Sequence, residues 1–178
     1  MKFTKGTFNL LPKFCISLKR NEDRRKIMDD KLREQGLVLW NGMEDVANNI
    51  IHIFDAIDRK DVVVPELSLK HNPNSPFPQA AGIMACMLSH VNLYKDALEK
   101  GMEAIVIFED DIVLCDDFWE RIAHIESLNL DFDMFSLGGH FPNVTKIGAD
   151  ADYTEWNHIF QVKRINGTYG YIITKKVM

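Results

Sequence analysis

At 178 residues the chain is expected to form one domain, or one with a small appendage, and burying roughly 70% of the unfolded surface supports a core of its own. Hydrophobic residues at 46% and charged residues at 26% exclude a disordered tail, a collagen-like rod and a disulfide-stapled miniprotein. With 21 Lys plus Arg against 26 Asp plus Glu the net charge is -5, so the broad basic footprint of a nucleic-acid or anionic-lipid binder is missing, and a phosphate must be gripped by a few local cations or a metal.

Lys2 and Lys5 are followed by Asn9, Pro12 and Lys13, which interrupt any signal-peptide core. Phe14-Cys15-Ile16-Ser17-Leu18 reads as a short buried strand that ends at Lys19-Arg20-Asn21. Asn21 is placed to cap a helix, with Glu22 and Asp23 in its first turn, where the positive end of the dipole favours them. Ile27, Met28 and Leu32 give that helix an apolar stripe and Gly36 stops it. Ile50-Ile51-His52-Ile53-Phe54 then leads into Asp55-Ala56-Ile57-Asp58. This strand–helix–strand spacing predicts a βαβ unit, and hence a parallel sheet with right-handed crossovers.

His71 to Pro78 holds three prolines and is read as an exposed loop, one suited to ordering over a ligand. Met84, Met87, Leu88, Val91 and Leu98 recur at helical spacing, with Gly101 as the stop. Ala104-Ile105-Val106-Ile107-Phe108 is apolar on both faces, the mark of a central strand covered by helices, and it runs into Glu109-Asp110-Asp111. A short helix at 118–125 follows, with Asp116 and Asp117 read as its N-cap pair. A strand from Met134 to Leu137 ends in Gly138-Gly139-His140, residues 141–155 read as irregular loop, and the last strand spans 168–174. The pattern is α/β.

Cys15, Cys86 and Cys115 lie far apart, without CxxC or zinc spacing, which predicts buried free thiols in a reducing compartment. The longest apolar run, Ile83 to Leu88, is far short of the ~18 residues of a membrane helix. A cytoplasmic location, or one peripheral to a membrane, is the expectation.

Three acids at the end of a buried strand require a reason. In open α/β sheets ligands bind outside the carboxyl ends of the strands, where this cluster lies. On an extended backbone Glu109 and Asp111 point to one side and Asp110 to the other. Two like charges about 4 Å apart repel by roughly 4 kcal/mol at an effective dielectric near 20. Either solvent screens that repulsion, as in a plain solvated turn, or a cation sits between them; carboxylates alone suit Mg²⁺, Mn²⁺ or Ca²⁺.

His90 lies near the apolar face of its helix. It reads either as a packed, hydrogen-bonded residue or, behind Ser89, as a side chain approaching a diphosphate or sugar. Lys19, Arg20, Arg24 and Arg25 gather at the first strand-to-helix turn. That is either a solvated face or a place where phosphates meet a helix N-terminus. The chain has no GxGxxG, GxxxxGK[ST] or GxSxG, which disfavours dinucleotide, P-loop and serine-hydrolase chemistry.

Taken in order, these stretches resemble glycosyltransferase family 25, the lipooligosaccharide-biosynthesis glycosyltransferases and their collagen galactosyltransferase relatives. The matching pieces begin with Cys15-Ile16-Ser17-Leu18-Lys19-Arg20, with Arg24-Arg25 behind them, and Phe54-Asp55-Ala56-Ile57-Asp58. They continue with the stretch from Gly82 to Tyr94 containing Leu88-Ser89-His90, with Ile107-Phe108-Glu109-Asp110-Asp111, and with Gly167-Thr168-Tyr169-Gly170-Tyr171-Ile172-Ile173-Thr174.

The resemblance implies a GT-A-type, Rossmann-like fold with a mostly parallel sheet flanked by helices. It implies an inverting, metal-dependent transfer of galactose from UDP-galactose to a glycan or lipid-linked saccharide, with no nucleic-acid partner. It places Glu109-Asp110-Asp111 where the family has a DXD-like motif: Asp111, assisted by Glu109, would bind Mn²⁺ or Mg²⁺ against the diphosphate. Ser17, Leu18, Arg24, Asp55, His90 and Asp110 would bind the nucleotide sugar.

Inversion also needs an acceptor-side base, for which Asp150, Asp152 and Glu155 are weak candidates. Family members continue beyond the Gly-Thr-Tyr-Gly-Tyr strand, so residues 1–178 are expected to form one glycosyltransferase domain lacking the acceptor-side part. Ala80-Ala81-Gly82-Ile83 also replaces the family's Gly-Glu-Ile-Gly. The alternative is a truncated GT-A domain that binds donor with little transfer; a phosphohydrolase would want further Asp/His ligands.

Overall fold

The computed structural model describes residues 1–42, 49–63, 77–140 and 166–178. Its elements in chain order are α1 (Thr7–Leu10), β1 (Lys13–Ser17), α2 (Glu22–Glu34), β2 (Val38–Trp40), β3 (Ile50–Asp55), a 3₁₀ turn (Arg59–Asp61), α3 (Phe77–Glu99), β4 (Ala104–Glu109), α4 (Phe118–Ser127), β5 (Met134–His140) and β6 (Asn166–Thr174).

The strands form a six-stranded sheet in the order β2-β3-β1-β4-β6-β5. Pairings β2–β3, β3–β1 and β1–β4 are parallel, whereas β4–β6 and β6–β5 are antiparallel. The expected βαβ unit is present, with β2 inserted at the sheet edge beyond β3. The result is a mixed, mostly parallel α/β sheet of the Rossmann-like, GT-A type.

Alternation of side chains sorts the core into two layers. Cys15, Val106, Phe108 and Ile172 pack with Met28 and Leu32 of α2 and with Phe118 and Ile122 of α4. Ile16, Ile105, Ile107, Tyr171 and Ile173 pack on the other face against Leu93 and Ala97 of α3. All of Ala104 to Phe108 is buried, as the two-sided apolar pattern requires. Gly170 sits opposite Phe108, and a Cβ there would meet the Phe108 ring at 3.1 Å, so this crossing favours glycine.

Several local expectations need correction. Met28 and Leu32 are buried, but Ile27 of the same predicted stripe is 55% exposed. Asn21 and Asp117 stand at the helix entries without capping through their side chains; the Asp117 carboxylate instead accepts from Arg121 at 2.8 Å. Gly36 and Gly101 do terminate their helices, at φ +73° and +69°. Helix α3 begins at Phe77, within the stretch read as a loop, and Pro78 in the first turn costs no helical hydrogen bond.

The buried side of α3 is also not the side that hydropathy marks. Ala81, Ala85, Ser89, Leu93 and Ala97 face inward at four-residue spacing, while Met87 and Leu98 are exposed. Residues 43–48, 64–76 and 141–165 lie outside the described residues, and with them the body of the predicted loop and the candidates Asp150, Asp152 and Glu155. Among the described residues no helix is long and apolar enough to cross a membrane.

Candidate functional site

Parallel pairing aligns the carboxyl ends of three strands. Ser17 of β1 stands opposite Asp55 of β3, and Ile16 stands opposite Glu109 of β4. Above this edge opens a cleft of about 490 Å³, floored by the strand ends and walled by the β1–α2 turn and by α3. It is lined by Ser17, Leu18, Arg24, His90, Glu109, Asp110 and Asp111, seven of the eight residues proposed for the site from sequence. Asp55 is not part of the lining.

Asp55 is instead reached through Arg25. The largely buried Arg25 donates from Nη2 to Asp55 Oδ1 at 2.7 Å and to the Ser17 carbonyl at 2.9 Å, and from Nε to Ser17 Oγ at 3.1 Å. Ser17 Oγ in turn donates to Asp110 Oδ2 at 2.8 Å. This relay, Asp55–Arg25–Ser17–Asp110, fixes a carboxylate of the cleft from behind. Sequence places Arg25 in a basic run, and the strand register gives it this internal role.

The acidic triplet does not alternate as an extended backbone would. Strand β4 ends at Glu109, and Asp110 and Asp111 lie in a turn. Both therefore reach the same cation: Arg24 Nη2 is 3.3 Å from Asp110 Oδ1 and 2.9 Å from Asp111 Oδ2. Glu109 goes elsewhere, with Oε1 at 3.5 Å from His90 Nε2. The pair converging on a cation is thus Asp110/Asp111 rather than Glu109/Asp111. Two carboxylates aimed at one positive group are an oxygen-only donor set that fits a hard divalent cation.

His90 is buried and stacked on Tyr171, with its Nδ1 hydrogen-bonded to Tyr171 Oη at 2.6 Å. Tyr171 Oη is also bonded to Tyr94 Oη at 2.5 Å, and burial pushes the Tyr171 hydroxyl strongly up. Burial by itself lowers the His90 pKa, but the Cys86 and Glu109 groups beside the ring outweigh it and raise it to about 9. The imidazolium is accordingly favoured in the folded protein at neutral pH. His90 is thus the packed, hydrogen-bonded residue of the first alternative, and it also lines the cleft.

Ser89 serves a structural end. Its hydroxyl donates to the Ala85 carbonyl at 2.7 Å and accepts from the Ile57 N–H at 2.8 Å, so α3 is stitched to the segment leaving β3. Arg20 pairs with Asp58 at the cleft mouth, and Arg59 lines the same wall. Arg20, Arg24 and Arg59 therefore line the same opening as Glu109, Asp110 and Asp111. Such a cleft can hold an anionic ligand and a cation together.

A family profile described as glycosyltransferase family 25 (LPS biosynthesis protein) matches residues 10–178. The human protein named procollagen galactosyltransferase 2 is 25% identical over 183 residues, an overlap of 90% of this chain and 25% of the relative. The Neisseria meningitidis serogroup B lacto-N-neotetraose biosynthesis glycosyltransferase LgtB is 33% identical over 111 residues, covering 58% of this chain and 40% of that protein. A rat protein named probable inactive glycosyltransferase 25 family member 3 is 25% identical over 134 residues, or 70% of this chain and 22% of its own length. The chain thus spans about a quarter of the length of the procollagen galactosyltransferase it matches. With a profile match over nearly all its residues, the chain belongs to glycosyltransferase family 25.

Proposed function

We propose that this chain is a metal-dependent glycosyltransferase domain that moves galactose, with inversion, from UDP-galactose to a glycan or lipid-linked saccharide. The observation that carries the reading is the convergence of Asp110 and Asp111 on Arg24, at the carboxyl edge of the parallel strands. Asp111, beside Asp110, is assigned to hold Mn²⁺ or Mg²⁺, and Ser17, Leu18, Arg24, His90 and Glu109 to line the nucleotide-sugar site. Asp55 acts behind them through Arg25. A divalent cation held there would offset the negative charge that grows on the departing diphosphate. Arg24 is half exposed and can turn toward a phosphate, while Asp110, only 11% exposed, keeps the hydrogen bond from Ser17 Oγ.

Isothermal titration of the chain with UDP, with and without Mn²⁺, tests the reading. Asp111→Asn is expected to weaken Mn²⁺-dependent UDP binding by about tenfold or more, roughly 1.4 kcal/mol or above. Unchanged affinity would remove Asp111 from the metal site, and a lack of effect from a chelator would remove the cation. A second reading, donor binding with little transfer, is favoured by the rat relative named as probably inactive. A donor-hydrolysis assay run beside the titration separates the two, because binding without turnover supports the second.

A further inference from the structure

Cys86 and His90 stand four residues apart on α3, so their side chains share one face of the helix. Glu109 reaches the same point from the end of β4. One ligand atom from each of these three residues lies within 4.8 Å of the others. We propose that Cys86 Sγ, His90 Nε2 and a Glu109 carboxylate oxygen form a binding site for a borderline-soft divalent cation of the zinc class, separate from the oxygen-only pair Asp110/Asp111.

The geometry of His90 carries most of the argument. The residue is only 6% exposed, and its Nε2 has no hydrogen-bond partner among the described residues. The 3.5 Å separation from Glu109 Oε1 is long for a hydrogen bond, but tetrahedral zinc with bonds near 2.1 Å would place its nitrogen and oxygen ligands about 3.4 Å apart. The other ring nitrogen is held by Tyr171 Oη, which fixes the ring and leaves Nε2 directed at the shared point. Metal-binding histidines are held in this way by a partner behind them.

The donor chemistry then selects the ion. Thiolate, imidazole and carboxylate together suit Zn²⁺ and other late first-row ions, whereas Mg²⁺ and Mn²⁺ prefer oxygen. Three protein ligands beside a cleft leave a fourth position open to solvent or to an anion. Cys86 is exposed, so its thiol is accessible to an incoming ion.

Titration of the full chain with Co²⁺, which reports thiolate ligation by a near-ultraviolet charge-transfer band, tests the site without any nucleotide. It therefore succeeds or fails independently of the donor-binding reading. A 1:1 complex with that band, displaced by Zn²⁺ and not by equimolar Mg²⁺ or Mn²⁺, is expected. Cys86→Ser should abolish the band, while Cys115→Ser keeps it. Glu109→Gln should weaken Zn²⁺ binding, and Tyr171→Phe should do so by about 10–100-fold through loss of the His90 support. Circular dichroism identifies any variant that fails to fold, and the band in wild type with its retention in Cys115→Ser keeps the test decisive. Absence of a thiolate band in the wild type, its persistence in Cys86→Ser, or equal competition by Mn²⁺ would overturn the proposal.

Discussion

Arg25→Met separates the internal from the exposed part of the relay behind the cleft. Methionine keeps much of the apolar stem and removes the charge. The lost contacts are two bonds to Ser17, which is 1% exposed, and one to Asp55, whose side chain is 55% exposed. Hydrogen bonds from a charged donor contribute about 1.5–3 kcal/mol each, whereas an exposed ion pair contributes about 0–1 kcal/mol. Neither Ser17 oxygen is orphaned by the change. Its carbonyl still accepts from the Ala56 N–H at 2.9 Å, and its hydroxyl still donates to Asp110. The net loss should therefore fall below the sum, at about 2–4 kcal/mol, against less than about 1 kcal/mol for Asp55→Asn. Urea unfolding monitored by circular dichroism measures both, and an unchanged m-value would confirm that only the folded state is affected. If Asp55→Asn costs as much as Arg25→Met, the surface pair rather than the Ser17 contacts holds the strand ends, and the assignment of Arg25 is wrong.

Ile107→Ala, at a fully buried position of the central strand, should cost about 2–5 kcal/mol in the same assay, and a loss under about 1 kcal/mol would contradict the two-layer core. His90 titrates near 9 when folded against 6.5 for the free side chain, so the folded state binds its proton more tightly. That contribution is whole below about pH 6.5 and is lost as pH rises to about 9; His90→Gln should flatten the stability profile across this window and leave the remainder in place. Burial, reinforced by the nearby Asp110 charge, pushes the Cys15 thiol up to about 12, while Cys86 and Cys115 are exposed. A thiol reagent should thus titrate two cysteines in the native protein and the third only after unfolding; a third fast thiol would mean that the β1 face opens readily.

The elements readable from sequence are those whose own residues decide their state. The segment from Ala104 to Phe108 is a strand in isolation and in the fold because all five side chains are apolar and both faces are covered. Helix α1 is different: its four residues are held by the Glu126 carboxylate, which accepts from the Gly6 and Phe8 N–H groups at 2.8 Å across more than a hundred residues of chain. No local signal announces such a contact. Strand β2 is three residues long and follows the Gly36 stop directly, so it offers no periodicity to read. On α3, hydropathy favours Met87 and Leu98, yet the inward face carries Ala81, Ala85, Ser89 and Ala97, with Ser89 accepting from the Ile57 N–H. The strand-end acids and the Ser-His pair were legible as types, but their partners depended on register, which brings Arg24 to residues far along the chain.

The triplet divides because the strand ends within it. Ile105, Ile107 and Glu109 alternate onto one face of β4, the face on which Leu93 and Ala97 of α3 pack, so Glu109 meets His90. Past Glu109 the turn carries Asp110 and Asp111 toward Ser17 and Arg24 on the opposite wall. The repulsion expected among these acids, roughly 4 kcal/mol for a pair about 4 Å apart, is thus offset by an arginine at one pole and an imidazolium at the other. The fold needs no metal to tolerate three adjacent carboxylates. Any divalent ion entering the cleft must exchange with a protein cation, and its affinity is the difference between the two pairings rather than the attraction of bare acids. Removing Mn²⁺ or Mg²⁺ from the Asp110/Asp111 pair should consequently weaken ligand binding while leaving the unfolding midpoint of the nucleotide-free protein nearly unmoved.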